Sequence, residues 1–519
     1  MKIFRPLRLT GSVALLCLLS LSFVPSASAG SATWKLNPRN TIWSQPANWT
    51  PATVPNGPDD IATFGQSTKT TIGGSPITVN GIVFAPGASA YTMAFAPAVL
   101  QIVGVGITNN SGIVQTFVAA TFQGAATAGN LTAFTGAVDF YGTSSAGNAS
   151  FTSQNINAIE FFDSSTAANA AFTLFEDGEV FFNGSSSAGQ ATFTLNGATE
   201  SGFGSSVSFN ETSTADQATL IINGGTIGSV GLGGIVYFTG GTAGGAVVTV
   251  NAGTVEDSPG GTAYFSSSAD KSTVVANGAA VGGDDAGGHI SFAASGAGAN
   301  ATLIANGGSN GGAGGLISFA DRSTGDMATV KLFGNGTLEM PSLTGAETLS
   351  IGSLEGDGEV ILSSSRSVAH HLIVGGNNLS TTFAGTIRGT QLADSVTKVG
   401  TGALTLTGAN TYEESTTIEG GTLLISNTTG SGTGPGPVQV DTGTLGGKGT
   451  ISGAVTVGAG SGAGAFLAPA AGTKKPVTLT LQSSLTLQAD STYTYTFKAR
   501  RNQASTDLVI ANGVTINGA

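Results

Sequence analysis

The sequence has 519 residues with a formal net charge of −12, and it is unusual in having 80 glycines and only 9% charged residues. Little charge and much glycine are typical of disorder, but 27 phenylalanines and many β-branched residues exclude a disordered chain. The acidic balance excludes a basic stripe, so we expect no nucleic-acid partner, and the composition predicts short strands joined by glycine-rich turns.

Residues 1–29 have the pattern of a secretory signal peptide. Lys2, Arg5 and Arg8 precede an apolar core at 13–24, and Ala-Ser-Ala at 27–29 is a small-residue cleavage site. Cleavage removes the only cysteine and leaves 15 basic and 30 acidic residues, a net charge of −15. We therefore predict a secreted or extracellular protein with the export machinery as a partner, and attachment to a bacterial outer membrane surface is left open. No later apolar run is long enough to cross a membrane, so we expect no transmembrane segment in the mature chain.

Residues 30–120 differ from the rest of the chain. They contain all three tryptophans, Trp34, Trp43 and Trp49, and a proline-rich segment at 43–64. Large aromatic residues and proline turns suit an end structure that covers an exposed sheet edge. We predict a β-rich capping region here, although the pattern also allows it to extend the main body.

Residues 121–345 contain a repeat. A Val/Ile-x-Phe triplet recurs every 21 to 29 residues, and about ten residues after each triplet comes a second apolar run such as ATLII or AVVTV. No segment has a 3.6-residue period long enough for a helix. Repeats of this length are single units that become stable by stacking on their neighbours. The anchor phenylalanines are Phe140, Phe161, Phe182, Phe209, Phe238, Phe265, Phe292 and Phe319.

The pattern predicts an all-β parallel β-helix, a β-solenoid with coils of about 21–29 residues and, by strand twist, a right-handed one. Each anchor phenylalanine and the residue two before it are apolar, so both are expected inside. The residue between them varies and is expected to face solvent: Asp139, Glu160, Phe181, Ser208, Tyr237, Tyr264, Ser291 and Ser318. Glycine-rich segments at 224–234 and 281–289 are predicted corner loops. About eighteen coils would form a rod on the order of 85 Å long.

Residues 346–519 have a sequence pattern that differs from that of the preceding repeat. The segment KVGTGALTLTGANTYEESTTIEGGTLLI at 398–425 has Lys398, spaced glycines and leucines, Asn410, Tyr412 and then Gly-Gly-Thr-Leu. This segment resembles the autotransporter-associated β-strand repeat, although Glu413 and Glu414 stand where that family usually has a glycine near the turn. The close resemblance covers about 396–519, with a looser one over 31–95. It implies a secreted or surface β-helical passenger and no particular activity.

Autotransporters end in a membrane domain, whereas this sequence ends in LVIANGVTINGA, still in the repeat pattern. We therefore expect either that residues 346–519 are truncated at the C-terminus or that export uses another route.

Candidate catalytic and metal-binding residues are sparse. His289, His370 and His371 are the only histidines, and the adjacent pair should face opposite sides of a strand, which is poor geometry for one metal ion. Gly307–Gly311 fits G-x-S-x-G but lies in a glycine-rich loop with no helix after it. Lys448 follows a glycine, but the surrounding residues do not complete a phosphate loop. We predict no cofactor and no metal.

Carboxylates are the stronger candidates, because many β-helices cleave polysaccharides. Asp139 and Glu160 occupy the same outward position in successive coils, about 4.8 Å apart, close to the roughly 5–5.5 Å of retaining glycosidases. The next positions are Phe181 and Ser208, and a solvated face is the simpler interpretation. Acidic segments at 176–179, 284–285 and 357–359 are weaker Ca²⁺ candidates, since none follows a known calcium motif.

Aromatic residues offer another way to bind sugars. The tryptophan cluster, or the outward pair Tyr237 and Tyr264, could stack on sugar rings, but packing is the favoured role for both.

Three hypotheses for function follow. We predict a non-enzymatic structural or adhesive rod, secreted or displayed on the cell surface, with glycans or other cell surfaces as partners. The first alternative is a glycan-binding or glycan-cleaving β-helix using Asp139 and Glu160. The second is a passive spacer for a missing C-terminal module.

Overall fold

The computed structural model describes residues 30–518, except 155–157, 201, 229–230, 284, 341–347, 364–368, 390–392, 463, 474 and 502. The signal peptide predicted at 1–29 and the candidate Asp284 lie outside the described residues. The regular secondary structure of the described residues consists of β-strands and one 3-10 turn at Pro46–Asn48. Parallel coils stack into a β-solenoid of about 17 turns, which confirms the predicted fold class. Among the described residues, none belongs to a helix that is long and apolar enough to span a membrane.

The anchor triplets form one wall of the solenoid, which we call sheet 1. It has 17 strands, and apart from one antiparallel strand at its N-terminal end its neighbours are parallel. Its strands are Ala32–Trp34, Trp49–Thr50, Ile61–Phe64, Ile77–Phe84, Leu100–Asn109, Ala120–Phe122, Val138–Phe140, Ala158–Phe161, Glu179–Phe182, Ser206–Asn210, Ile235–Thr239, Thr262–Phe265, His289–Phe292, Leu316–Phe319, Thr337–Glu339, Glu359–Ile361 and Thr386–Arg388.

The second apolar runs form the opposite wall, sheet 2, which is also parallel. Up to residue 332 it contains one strand per coil: Thr71–Ile72, Thr92–Met93, Gln115–Phe117, Asn130–Phe134, Asn148–Ser153, Ala171–Leu174, Thr192–Leu195, Thr219–Ile222, Val247–Val250, Thr273–Ala276, Thr302–Ala305 and Thr329–Leu332.

Beyond residue 347 sheet 2 gains a second column of strands and wraps round a corner. The long strands Thr416–Ile425 and Val438–Gly447 pair with both columns and join them. The strands here are Thr348–Ile351, Ser353–Gly356, His371–Val374, Thr381–Phe383, Ser395–Lys398, Ala403–Leu406, Thr416–Ile425, Val438–Gly447, Val455–Val457, Ala465–Leu467, Leu485–Leu487, Ser491–Tyr493 and Val514–Ile516.

Two small sheets complete the C-terminal part. A three-stranded parallel sheet contains Thr450–Ile451, Thr478–Leu481 and Leu508–Ile510. The strands Phe497–Arg500 and Gln503–Thr506 form an antiparallel hairpin.

The predicted facing of the anchor triplet is confirmed. Val138 pairs with Ile159 and Phe140 with Phe161, and all four side chains are buried. From Phe122 to Phe319 the anchor rings form one ladder, with centroids 4.5–5.1 Å apart and nearly parallel planes. The corner segments 224–234 and 281–288 lie between strands where they are described, as predicted, but His289, which was placed in the second segment, begins the strand His289–Phe292.

A second phenylalanine ladder was not predicted. Phe117, Phe134, Phe151, Phe172 and Phe193 stack along sheet 2 and meet the anchor ladder edge-to-face across the core. Edge-to-face and offset contacts are the geometries that aromatic rings prefer, and each adds about 0.5–1.5 kcal/mol to burial. Beyond Phe193 this position becomes aliphatic, beginning with Leu220.

The N-terminal region continues the strand pairing of the solenoid, and its capping role stays a prediction. Ile61–Phe64 pairs with Ile77–Phe84 as a regular coil, while Trp49–Thr50 runs antiparallel beside Ala32–Trp34 at the sheet end. Trp34, Trp43 and Trp49 are buried and pack edge-to-face, with centroids 5.0 Å apart in two of the pairs. Each indole N–H donates to a backbone carbonyl. The cluster therefore has the packing role that the sequence analysis favoured.

Candidate functional site

The strongest candidate from the sequence lies on the outer face of sheet 1. Asp139 and Glu160 are direct register partners on adjacent strands, and the same column continues through Phe181, Ser208 and Tyr237. Both carboxylates are half-buried. The structure thus places the two predicted carboxylates side by side.

The surroundings of Asp139 and Glu160 disfavour the ionised form of both carboxyl groups. Burial raises the pKa of the Asp139 carboxyl. Burial, and then the charges of Asp139 and Glu179, raise the pKa of the Glu160 carboxyl. In the described part of the chain, Lys331 forms an ion pair with Glu355, and Arg388 forms one with Glu359. Both ion pairs are distant in sequence from Asp139 and Glu160. Both carboxyls therefore have raised pKa values, and neither forms an ion pair among the described residues.

A cavity of about 340 Å³ lies next to Asp139. It is lined by residues 96–99, 118–121 and 135–137 together with Asp139, and its walls are mainly apolar. Two residues after Asp139 and Glu160, the rings of Tyr141 and Phe162 stack with centroids 4.7 Å apart and planes 4° from parallel.

The other carboxylate candidates hold the backbone in place. Glu176 accepts hydrogen bonds from the N–H and hydroxyl of Thr199, and the hydroxyl bond is the main cause that lowers the pKa of Glu176. Asp357 accepts from the N–H of Gly334 at 2.9 Å, and Glu359 pairs with Arg388. Among the described residues, no group of three or more His, Cys, Asp or Glu side chains converges to hold a metal ion.

Carboxylates elsewhere act as turn acceptors between coils. Asp163, with φ of 56°, accepts from the N–H of Gly142, and Glu211 accepts from the N–H of Gly184. Asp321 accepts likewise from Ala294. Acidic residues at these left-handed corner positions therefore connect each coil to the one before it.

The histidines are separate from one another. His289 Nε2 is 2.8 Å from Ser318 Oγ, and His371 Nε2 is 2.7 Å from Thr397 Oγ1. His370 is buried while His371 is half-buried, which confirms the predicted opposite facing. Ser309 lies in a loop. The rings of Tyr237 and Tyr264 have centroids 6.0 Å apart, as the packing interpretation expects.

An asparagine ladder was missed by the sequence analysis. From Asn223 onwards, each side-chain amide nitrogen donates to the amide oxygen of the asparagine in the preceding coil, over 2.9–3.0 Å. The signal was present, since every member follows directly after a second apolar run. The members are Asn196, Asn223, Asn251, Asn277 and Asn306.

Three polar residues of the 398–425 segment are buried and hydrogen-bonded. The Lys398 ammonium donates to the carbonyls of Val399, Gly400 and Gly420. Lys398 is only 2% exposed, and burial lowers the pKa of its ammonium to about 8. Lysine is rarely buried without a partner, so its sequence position alone did not suggest this role.

Asn410 and Tyr412 are the other two. Asn410 accepts from the N–H of Ile387 and donates to the carbonyl of Gly432, thereby connecting the coils on either side. The Tyr412 hydroxyl is 2.7 Å from Thr416 Oγ1, and burial raises its pKa. Both side chains are buried.

The glutamates at the turn fit without a glycine. Glu413 and Glu414 are described residues and are not among those with positive φ. Since neither adopts the left-handed conformation that favours glycine, their side chains cause no backbone strain.

Comparison with known proteins gives one match. Residues 396–425 match the passenger-associated-transport-repeat family. No curated protein and no solved structure shows a significant match to the chain. The resemblance to the autotransporter passenger repeat family is thus confirmed at 396–425, and this repeat together with the β-solenoid fold supports an autotransporter passenger-type β-helix.

Proposed function

We propose that the chain is a secreted or surface-displayed rod with a structural or adhesive role and no enzymatic activity. The observation that carries this proposal is the in-register stacking of parallel strands from the N-terminal coils to Val514–Ile516. A solenoid of this kind presents a long surface to partners and uses its side chains to hold the coils together. The repeat match at 396–425 supports a location outside the cell.

The use of polar side chains supports the same proposal. Carboxylates at corner positions, the asparagine ladder and Lys398 each satisfy backbone or amide groups of adjacent coils. An enzyme site needs a nucleophile or acid–base pair aimed at a substrate position. Most of the polar candidates are instead occupied by structural hydrogen bonds.

Localisation is tested by expressing the full chain in a diderm bacterium and digesting intact cells with an external protease. We expect the chain to appear in the medium or to be cleaved on intact cells while a cytoplasmic control protein stays whole. Protection from protease until the cells are lysed would contradict the proposal.

Adhesion is tested separately with beads coated with the purified mature chain. We expect the beads to adhere to cells or to polysaccharide-coated surfaces more than beads coated with albumin. Equal adhesion would remove the adhesive role and leave the structural one.

Glycan cleavage is the second candidate, and one observation favours it. Asp139 and Glu160 are register partners, and Asp139 lines a cavity of about 340 Å³. Purified chain should be screened against a polysaccharide panel with Asp139→Asn as the inactive control. Release of reducing ends by the parent chain and not by the variant would establish this candidate and overturn the non-enzymatic proposal.

A further inference from the structure

The charge of the chain changes sign after the matched repeat. Residues 30–425 contain 9 basic and 27 acidic residues, whereas residues 426–519 contain 6 basic and 3 acidic ones. The net charge of the whole chain does not show this division. A basic segment on an otherwise acidic protein marks a region where anions are attracted.

The three carboxylates of this segment are held by nearby groups. Asp441 accepts from the side-chain amide of Gln439, and Asp490 accepts from the N–H groups of Ala459 and Gly460. Asp507 accepts from the N–H groups of Val477 and Thr496. None of the three forms an ion pair among the described residues.

Two lysines of the segment line one cavity. Lys448 follows the strand Val438–Gly447, and Lys475 lies in the connection that precedes Thr478–Leu481. Both are exposed, and both border a cavity of about 380 Å³. Neither lysine forms an ion pair in the part of the chain that is described. The cavity is therefore bordered by two lysines that have no ion-pair partner among the described residues.

The remaining walls of the cavity are mixed. Pro469, Pro476 and the side chain of Leu424 provide apolar surface, while Ser426 and Thr473 provide hydroxyls. Thr473 Oγ1 accepts the N–H of Lys475, which leaves the hydroxyl proton able to donate to a ligand. The volume is within the range of small-molecule sites, and it is about ten times the ~30 Å³ of one water molecule. A lone inorganic anion would fill only a small part of it.

We propose that this cavity binds a saccharide that carries a sulfate, phosphate or carboxylate group. The anionic group lies between the ammoniums of Lys448 and Lys475, and the sugar ring lies against the prolines with its hydroxyls near Ser426 and Thr473. The choice of a saccharide rests on the proposed location outside the cell. The anionic character rests on the two lysines alone.

The test is calorimetric titration of the purified mature chain with glucose 6-sulfate, glucose and inorganic sulfate. We expect glucose 6-sulfate to bind at least about tenfold more tightly than either of the others, because each of the other ligands lacks one half of the contacts. The affinity should fall as NaCl is raised, since exposed charges are screened. Binding of inorganic sulfate as tightly as the sugar ester would overturn the saccharide assignment.

Variants locate the site. Lys448→Gln and Lys475→Gln should each weaken glucose 6-sulfate binding by about five- to tenfold, as expected for loss of one charge-assisted hydrogen bond. The matched control is Lys498→Gln, an exposed lysine of the same basic segment that does not line the cavity. An equal loss in the control would mean general attraction to the basic segment, and no binding by the parent chain would also overturn the proposal.

This binding assay uses purified protein and does not depend on where the chain is located in a cell. A protein that is exported but does not bind the sugar ester refutes this inference alone. A protein that binds but is found in the cytoplasm refutes the proposed function alone.

Discussion

The coils between Phe122 and Phe319 and those after residue 347 are the same fold held together in two ways. The first set repeats one side chain at one position, so that phenylalanine rings stack inside and asparagine amides pair outside. The second set has an aliphatic core and an additional column of strands. It is connected by single buried residues such as Lys398 and Asn410. Stability is therefore distributed over many equal contacts in one region and concentrated in a few in the other.

The largest expected effect is in the phenylalanine ladder. Phe209 is buried between Phe182 and Phe238, at 4.8 and 5.1 Å. Phe209→Ala should lower the free energy of unfolding by about 3–5 kcal/mol, since it removes a buried ring and leaves a cavity. Urea unfolding measures it, with the exposed Phe175→Ala as a control that should change little. A small loss for Phe209 would show that neighbouring coils relax into the space.

The buried lysine gives a pH-dependent effect. Burial lowers the folded-state pKa of Lys398 to about 8 from 10.5, so between these values the unfolded chain binds more protons than the folded one. Stability contributed by this group is therefore lower below pH 8 and rises up to about pH 10.5. The difference in unfolding free energy between the parent chain and Lys398→Met should rise by on the order of 3 kcal/mol across that window.

Taking the difference in unfolding free energy between the parent chain and Lys398→Met cancels the titration of the other residues. Burial raises the pKa of Tyr91 to about 12, so above pH 10 this tyrosine destabilises the fold, equally in both chains. A difference that stays flat from pH 7 to 10.5 would mean that Lys398 is solvated in solution.

Asn410 tests how much a single connection contributes. Asn410→Ala leaves the N–H of Ile387 and the carbonyl of Gly432 without their partner, and we expect a loss of about 2–3 kcal/mol. Asn251→Ala breaks two side-chain hydrogen bonds of the half-buried ladder, where water can replace the lost partner, and we expect a loss of only about 0.5–1 kcal/mol in all. Equal losses would contradict the contrast between the two regions. Chemical denaturation of both variants makes the comparison.

The smallest effect concerns the carboxylate pair. Burial and like charge raise the pKa of Glu160, which means that the charged form is unfavourable in the folded state. Glu160→Gln should therefore leave the fold unchanged or stabilise it, by less than about 1 kcal/mol, at neutral pH and not at pH 3. Thermal melts at both values check this. Destabilisation at pH 7 would show that the carboxylate has an unseen favourable partner.

The sequence predicted the anchor column because strand side chains alternate and phenylalanine recurs at one position. It did not predict the third side of the central coils, which consists of single bridges such as Thr166 with Ser187 and has no apolar run. The asparagine ladder could have been found from its fixed place after each second run. The burial of Lys398 could not, because it depends on carbonyls contributed by the turn after it and by the following coil.

For the candidate sites, the register of Asp139 with Glu160 followed directly from repeat spacing. The cavity bordered by Lys448 and Lys475 did not, since neither lysine lies in a strand and only the stacking of irregular connections brings them together.

The direction of the hydrogen bonds between coils has a mechanical consequence. Because these bonds run along the long axis, a pull on the two ends puts the coil interfaces in series, so that each of them carries the full load. Stretching should then release whole coils in sequence, each adding about 90 Å of extended chain for 27 residues. The coil interfaces of the Phe122–Phe319 region are nearly equal, so its coils should unfold at similar forces. The molecule would then lengthen under load by successive unfolding of coils before it breaks.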